Sequence, residues 1–313
     1  MKRLSLLIVL AALLLGACAP AAPEPMTLRL GLLPILETLP LYVAQSQGYF
    51  AAEGLQVEFI PAASAAERDQ LMQAGQIDGL INDLVSTVLY NRDGVRVVIV
   101  RFARTATSED PAYRILASGD SGFTRAQDLA GVPIGLSQGT VIEYVTDRLL
   151  QAEGLAPEEI QTVAVPKIAD RMALLESGEL QAATLPDPLS SLALQAGARL
   201  ILDDTAHPEY GTSVLAFSKA VVDQSPRAIA AFLRAVEKAT VEVNADPSRW
   251  ASLLSDNKLV PAPLMGSYEL PAFPLASVPT EAQYADALAW AMEKGLVTTS
   301  ASYAESVNAG FLP

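Results

Sequence analysis

The segment 71–79 reads LMQAGQIDG and the segment 174–182 reads LLESGELQA, so the chain carries one pattern twice. Each segment joins the end of a helix, a capping glycine and the start of an apolar strand. The tetrapeptide AEGL also occurs twice, at 52–55 and at 152–155. We therefore interpret the chain as two copies of an α/β unit about one hundred residues apart.

Both copies run in the same order: strand, helix, EGL, strand ending at proline, helix ending at glycine, and strand ending at an acid. The first copy predicts strands at 28–33, 56–60 and 76–81 and helices at 39–52 and 65–74. The second copy predicts strands at 132–136, 161–165 and 180–185 and helices at 140–152 and 172–177. Further strands are predicted at 199–202 and 212–217, and further helices at 225–243 and 280–291. The order fits either one larger parallel sheet or two facing α/β lobes, of which we favour two lobes.

Composition excludes several classes of function. The chain has 313 residues, room for about two domains. Half of it is hydrophobic (51%) and 18% is charged, which predicts a folded chain with a sizeable core. The formal net charge is −14. Since nucleic-acid binding needs clustered Lys and Arg, we expect no nucleic-acid partner.

The chain has one histidine and one cysteine. One of each cannot build a Cys/His zinc site or an internal disulfide, so we predict no metal and no cofactor. A serine or cysteine nucleophile with a histidine base would have to use His207, which we interpret as an exposed loop residue. The sequence therefore favours a binding protein over an enzyme.

The first residues are typical of an export signal. Lys2 and Arg3 precede an apolar stretch at 4–15, and Leu-Gly-Ala-Cys follows, ending at Cys18. We predict a lipoprotein signal at 1–18, lipidation of Cys18 and an extended tether at 19–25. The alternative is an ordinary signal peptide with an incidental cysteine. The prediction places the protein in the periplasm or at an extracytoplasmic membrane surface, held by its lipid.

Four segments in succession resemble a known family: LGLLP at 30–34, YVAQSQGYFAAEGLQVEF at 42–59, LMQAGQIDGLIND at 71–83 and DLAGVPIGLSQGT at 128–140. Their order and spacing are similar to those of solute-binding proteins of ABC importers. The resembling branch includes binders of aliphatic sulfonates, nitrate, riboflavin and thiamine-pyrimidine precursors. The chain departs from the pyrimidine and nitrate branches at 33–35, where it has Leu-Pro-Ile instead of a Pro-Asn or a Trp.

The resemblance implies an α/β fold of the periplasmic-binding-protein type II, with two lobes that close over a ligand cleft by a hinge motion. Lobe one would comprise 26–114 plus 213–313, and lobe two 115–212. The implied partners are a small organic ligand and the permease and ATPase of an importer. We expect a monomer.

In open α/β sheets ligands bind beyond the carboxyl ends of the strands. This rule, with Tyr113 as a possible stacking residue in the crossing segment, predicts the ligand-binding residues Pro34, Ile35, Thr38, Ser64, Asn82, Asp83, Tyr113, Ser137, Gln138, Gly139, Thr140 and Asp187. The same strand exits also carry Glu37 and Lys167.

Two groups within this set favour different ligands. The loop 137–140 opens a helix, and its backbone N–H groups suit a carboxylate, sulfonate or phosphate; alternatively Thr140 only caps the helix. Asn82, Asp83 and Asp187 would accept hydrogen bonds from a ligand that carries N–H or O–H donors; alternatively they cap the helices that follow. The two acids favour a ligand with donors over a small bare anion.

Three functions fit the sequence. The favoured one is a receptor that hands a small molecule to an importer. The second is an enzyme on the same fold, with a carboxylate mechanism that uses Asp83, Asp187 or Glu143. The third is a sensory lipoprotein.

Overall fold

The computed structural model describes residues 26–313. The predicted signal, the tether and the predicted lipidation at Cys18 lie outside these residues. Within 26–313 no helix is both long enough and apolar enough to cross a membrane.

The described chain forms two five-stranded sheets. The first sheet has the strand order β2-β1-β3-β10-β4, and its strands are β1 (Met26–Leu32), β2 (Leu55–Pro61), β3 (Gly79–Asn82), β4 (Val97–Thr105) and β10 (Thr212–Ser218). The second sheet has the order β7-β6-β8-β5-β9, and its strands are β5 (Tyr113–Ala117), β6 (Pro133–Leu136), β7 (Gln161–Ala164), β8 (Ala182–Pro186) and β9 (Arg199–Asp203). The prediction of two facing α/β sheets is confirmed, and a single larger parallel sheet is excluded.

Both sheets mix strand directions in the same way. In the first, β1 runs parallel to β2 and β3, while β10 runs antiparallel to β3 and β4. In the second, β6 runs parallel to β7 and β8, while β5 runs antiparallel to β8 and β9. The carboxyl ends of the parallel strands therefore meet at one edge in each sheet, the edge at which open α/β sheets generally bind ligands.

Helices connect and cover the strands. They are α1 (Leu39–Ser46), α2 (Tyr49–Ala52), α3 (Ala65–Gln73), α4 (Leu84–Tyr90), α5 (Val141–Ala152), α6 (Ile168–Glu176), α7 (Leu189–Gln195), α8 (Lys219–Gln224), α9 (Pro226–Ala245), α10 (Ala251–Asp256), α11 (Glu281–Glu293) and α12 (Tyr303–Ser306). The helix predicted at 39–52 is two helices, because Gly48 adopts a left-handed φ of 70° that ends the first. Thr280 caps α11 as predicted, with a reciprocal capping box to Gln283.

The chain crosses between the sheets twice, at 106–112 and at 204–211. β4 and β5, which the sequence pattern did not predict, flank the first crossing. β5 begins at Tyr113, two residues before the predicted start of lobe two at 115. β10 begins at Thr212, one residue before the predicted return to lobe one at 213. Asp204 of the second crossing accepts backbone N–H bonds from Ala112 (2.9 Å) at the end of the first crossing and from Tyr113 (3.2 Å) at the start of β5, which ties the two crossings together.

Helix α11 lies where the helices of the two sheets meet. Ser300 and Ala301, which follow it, hydrogen-bond to backbone carbonyls of α4 and Asn91 beside the first sheet. On its other side Trp290 is buried, donates to Asp147 of α5 (2.8 Å) and packs edge-on against Tyr144, with ring centroids 5.7 Å apart. One hydrophobic core therefore continues from the first sheet's helices to the second's.

Candidate functional site

A cavity of about 80 Å³ lies between the two sheets at their carboxyl edges. Its walls come from the segments that follow β1, β2 and β3 on one side and β6, β7 and β8 on the other. The lining is largely apolar, with a few polar side chains, which is the usual composition of a site for a small organic molecule.

Seven of the twelve predicted ligand-binding residues line this cavity: Ile35, Ser64, Asn82, Asp83, Tyr113, Ser137 and Thr140. Five do not: Pro34, Thr38, Gln138, Gly139 and Asp187. The cavity also includes polar and charged residues outside the predicted set: Glu37, Arg68 and Ser213. The strand-exit rule therefore selects the edge of each sheet at which this cavity lies, and side-chain packing decides which residues line it.

Three of the residues outside the cavity have local reasons for their positions. Pro34 is exposed on the surface. Thr38 is fully buried and donates from Oγ1 to the backbone carbonyl of Ile35 (2.7 Å). The exposed Gln138 donates from Nε2 to Oγ1 of Thr162 (3.1 Å).

A backbone N–H of the loop 137–140 already donates to a carboxylate of the protein, that of Glu143. The N–H of Gly139 donates to Glu143 Oε2 (2.7 Å), and Glu143 is paired with Lys294 of the segment after α11 (2.9 Å). Thr140 Oγ1 accepts from the N–H of Ile142 (3.2 Å), so Thr140 caps α5, without a reciprocal capping box. A ligand anion would have to displace Glu143 to reach the Gly139 N–H.

Asp187 lies in a buried ion network instead of the cavity. Its carboxylate accepts from Arg114 Nη1 (2.6 Å), Ser191 Oγ (2.5 Å) and the Tyr268 hydroxyl, and Arg104 Nη2 lies 3.6 Å away. Burial works to raise the pKa of Asp187, but Arg104, these hydrogen bonds and Arg114 outweigh it and the pKa is lowered. Both oxygens of the Asp187 carboxylate are therefore engaged by groups of the protein itself.

Asp83 and Asn82 follow β3 and behave differently. Asp83 caps α4: its carboxylate accepts from the N–H of Ser86 (2.7 Å) and from its hydroxyl (3.0 Å), and burial raises its pKa. Asn82 donates from Nδ2 to Thr87 Oγ1 (3.1 Å), while its buried Oδ1 has no hydrogen-bond partner. Capping therefore accounts for Asp83 but leaves one acceptor of Asn82 unused.

Glu37 lies in a short 3₁₀ turn directly after β1, and its side chain reaches the cavity. The residue is 7% exposed. Burial raises the pKa of its carboxyl, while Arg104 and the nearby hydroxyl of Ser213 act in the opposite direction. Ser213 Oγ itself has no aligned hydrogen-bond partner. The sequence signal for Glu37 was its place at the exit of an apolar strand.

Two buried arginines hold the cavity walls. Arg68 donates from Nη1 to the carbonyl of Ile81 (2.8 Å) and is paired with Asp69 (2.8 Å). Arg171 donates from Nη2 to the Oγ of Ser137 (3.1 Å), which fixes that hydroxyl at the rim of the cavity. Burial lowers the pKa of Arg171 to about 10.

The remaining candidates lie elsewhere. His207 pairs with Glu209 (3.2 Å) and stacks on Tyr210, with ring centroids 5.4 Å apart, in the second crossing segment. Lys167 is exposed. Within residues 26–313 no group of three or more His, Cys, Asp or Glu side chains is placed to hold a metal ion.

Comparison with known proteins agrees with this geometry. A family model described as NMT1/THI5 like matches residues 36–249. The chain is 25% identical over 223 residues to the formylaminopyrimidine-binding protein of Halalkalibacterium halodurans, an alignment that covers 70% of this chain and 66% of the relative. It is 25% identical over 126 residues to a 4-amino-5-hydroxymethyl-2-methylpyrimidine phosphate synthase of Saccharomyces cerevisiae, covering 40% of this chain and 36% of the relative. The chain thus spans about two thirds of the first relative and about one third of the second.

Among solved structures, the fold is similar to that of the periplasmic aliphatic sulphonate binding protein SsuA from Escherichia coli. The TM-score is 0.76 at 20% sequence identity, and the match covers 90% of this chain and 97% of that protein. The two sheets with their interlobe cavity are thus the periplasmic-binding-protein fold.

Proposed function

Because the chain belongs to the NMT1/THI5-like family, we propose that it is the solute-binding component of an ABC importer. It captures a small organic molecule in the cavity between the two sheets, and the lobes 26–112 plus 212–313 and 113–211 close over it about the two crossings. Binding makes and breaks no covalent bond. The closed protein then delivers the ligand to a permease and its ATPase.

One observation carries this proposal. The cavity lies at the carboxyl edges of both sheets and is apolar, yet it contains the unpaired buried acceptor Asn82 Oδ1. An unpaired buried polar group costs about 1–3 kcal/mol, so an unpaired acceptor at a cavity wall favours a partner that arrives from outside. A ligand with an N–H or O–H donor supplies that partner.

The test is ligand binding with two amide variants. The purified protein is titrated by calorimetry with a metabolite library that includes formylaminopyrimidine, an alkanesulfonate and nitrate, and X-ray scattering measures its radius of gyration. We expect one class of compound to bind and to contract the protein. Asn82→Ala should weaken binding about tenfold, whereas Gln138→Ala, an amide outside the cavity, should not. Absence of binding by every compound would contradict the proposal.

We further propose that the protein works outside the cytoplasm as a monomer, anchored by a lipid on Cys18. The support is the signal-like sequence at 1–18 and the position of the sole cysteine at its end. Metabolic labelling with a radioactive fatty acid tests the anchor: the wild-type protein should be labelled and found with membranes, and Cys18→Ser should be neither. Labelling that survives Cys18→Ser would refute the assignment.

A second function, an enzyme on the same fold, is favoured by one observation: Glu37 and Asp83 face the cavity with raised pKa values, as acid–base catalysts do. The yeast relative is named as a synthase. Mass spectrometry of the bound compound after prolonged incubation separates the two functions. A transporter component returns the compound unchanged, and an enzyme returns a product.

A further inference from the structure

Two buried carboxylates lie one turn apart on the same face of α5. Glu143 is 5% exposed and Asp147 is 3% exposed. Residues at this spacing are neighbours on a helix surface, where two negative charges repel each other. Burial adds to the cost, because a buried carboxylate needs an ion pair or several hydrogen bonds. The two carboxylates therefore need a cation from outside α5.

Lys294 supplies that cation. Its ammonium lies 2.9 Å from Glu143 Oε1 and 3.1 Å from Asp147 Oδ2. Among residues 26–313 it is the only Lys, Arg or His that forms an ion pair with either carboxylate. Lys294 directly follows α11, and Trp290 of that helix donates to the same Asp147 oxygen (2.8 Å). The two carboxylates thus share one countercharge.

The lysine and the carboxylates belong to opposite sides of the molecule. Helix α11 packs against α4 beside the first sheet, and Ser300 after it donates from Oγ to the carbonyl of Val88 in α4 (3.0 Å). Helix α5 packs against the second sheet, where the hydroxyls of Thr146 and Thr184 share a hydrogen bond (2.6 Å). The ion pair of Lys294 with α5 is therefore a contact between the two sides.

Glu143 connects this contact to the cavity wall. While its Oε1 faces Lys294, its Oε2 accepts from the N–H of Gly139 (2.7 Å). Gly139 lies in the middle of the loop 137–140 with a left-handed φ of 70°. The residues on either side of it, Ser137 and Thr140, line the cavity. One carboxylate thus joins a lysine from the first side to a cavity loop of the second.

We propose that Lys294 is a positioning residue of the cavity: by holding Glu143 on the Gly139 N–H, it fixes the loop 137–140 while α11 and α5 are in contact. Separation of the two helices removes the shared cation, and the carboxylates of Glu143 and Asp147 then repel each other. The charge-assisted hydrogen bond from Gly139 to Glu143 weakens as a result. Closure of the two lobes and ordering of this wall of the cavity are therefore one event.

Hydrogen exchange of the Gly139 amide tests the proposal without any ligand. In Lys294→Met this amide should exchange on the order of tenfold faster than in wild type, because its bond to a charged acceptor is weakened. Lys294→Arg keeps the charge and should protect the amide as wild type does. Lys219→Met, which removes an exposed lysine from its ion pair with Asp223, should leave the amide unchanged. An unchanged rate in Lys294→Met would overturn the proposal.

A double-mutant cycle shows whether Lys294 acts through Glu143. Glu143→Gln leaves Lys294 paired with Asp147 and should by itself speed exchange at Gly139. Adding Lys294→Met to Glu143→Gln should then change that exchange little further. The amides of β4 report the overall stability of the protein in the same experiment. An equal effect of Lys294→Met in both backgrounds, or equally faster exchange in β4, would show a general loss of stability and overturn the positioning role.

Calorimetry measures the consequence for a ligand, a step that rests on the proposed function. Formylaminopyrimidine, an alkanesulfonate and the other library compounds are titrated into both proteins. A compound that binds wild type should bind Lys294→Met on the order of tenfold more weakly. If exchange at Gly139 responds as expected but no compound binds wild type, the proposed function fails and the positioning of the loop stands. If a compound binds both proteins equally, ordering of the loop does not support binding, and this inference fails while the proposed function stands.

Discussion

Arg68 and Arg171 lie 103 residues apart and make the same hydrogen bond in the two halves of the molecule. Arg68 Nη1 donates to the carbonyl of Ile81 at the end of β3 (2.8 Å), and Arg171 Nη1 donates to the carbonyl of Thr184 in β8 (2.6 Å). The two acceptors are also 103 residues apart. The repeat in the sequence is therefore a repeat of side-chain chemistry as well as of helices and strands.

A glycine makes room for each arginine. A Cβ at Gly31 of β1 would lie 2.5 Å from Ile77 Cδ1 and 3.5 Å from Arg68 Cγ. A Cβ at Gly135 of β6 would lie 2.5 Å from Leu180 Cδ1 and 3.5 Å from Arg171 Cγ. Only glycine, which has no side chain, fits at this position of each strand. The aliphatic part of the arginine and the side chain of Ile77 or Leu180 lie directly against the strand backbone.

Arg171→Met should lower the free energy of unfolding by about 2–4 kcal/mol, because it leaves the carbonyls of Thr184 and Val165 unpaired in the protein interior. Chemical denaturation measures the loss. Arg199→Met, at an exposed arginine of β9, should change stability by less than about 0.5 kcal/mol. Equal effects of the two substitutions would show that the buried hydrogen bonds do not stabilise the second sheet.

Asp187→Asn should destabilise the protein by about 3 kcal/mol, because two guanidinium groups, the buried Arg104 and the partly buried Arg114, lose their countercharge. The pKa of Asp187 is lowered in the folded protein, so this stabilisation is present at neutral pH and is lost as the pH falls through the lowered pKa. Unfolding curves at pH 7 and pH 3 should thus differ more for wild type than for the variant. Asp170→Asn, at an exposed aspartate, is the control and should respond to pH as the wild type does. If its pH response equalled that of Asp187→Asn, the pH dependence could not be assigned to Asp187.

Asp204 should make stability fall as the pH rises. Burial raises the pKa of Asp204 to about 7. Its Oδ2 has no hydrogen-bond partner. This oxygen packs so closely against Gly211 that a Cβ on that residue would lie 1.7 Å from it. Between about pH 4 and pH 7 the folded state holds a proton that the unfolded state releases, so the free energy of unfolding falls with rising pH, by on the order of 4 kcal/mol.

Asp204→Asn removes this titration while keeping an oxygen for the two backbone N–H groups. The stability of Asp204→Asn relative to wild type should therefore rise from pH 4 to pH 8 in denaturation experiments. Asp120→Asn, at an exposed aspartate, should show no such trend. A constant difference between Asp204→Asn and wild type would mean that Asp204 is ionised throughout.

Asp286→Ala should weaken ligand binding about twofold to fivefold by loosening the closed form. Asp286 of α11 accepts from the Tyr144 hydroxyl (2.6 Å) and from Arg148 Nε (3.1 Å) of α5, so these bonds hold the lobes together. Because Asp286 is partly exposed, the bonds are worth about 0.5–1 kcal/mol, and a ligand that selects the closed form loses that amount.

Scattering measures the accompanying change: the ligand-free Asp286→Ala protein should have a larger radius of gyration than wild type. Glu281→Ala, at an exposed residue of the same helix, should behave as wild type. An unchanged radius together with unchanged affinity would show that α11 does not restrain opening.

The sequence by itself determined the repeat, most strands and helices, and the edge of each sheet where the cavity lies. These features are local: apolar periodicity sets a strand, a glycine ends a helix, and the cavity follows from where parallel strands stop. The sequence pattern thus led to Asn82, Asp83, Ser137 and Tyr113, which line the cavity.

Only the tertiary structure decided which strand-exit carboxylates remain free. Asp187 and Glu37 both follow an apolar strand, and nothing within a few residues of either distinguishes them. Asp187 pairs with Arg114 and Arg104 and accepts a hydrogen bond from Tyr268, all from distant parts of the chain, whereas Glu37 lines the cavity and, among residues 26–313, forms no ion pair, although the charge of Arg104 acts on it. Electrostatic pairing depends on distance in space, so a carboxylate's role as ion-pair partner or ligand acceptor is settled only when the lobes are packed.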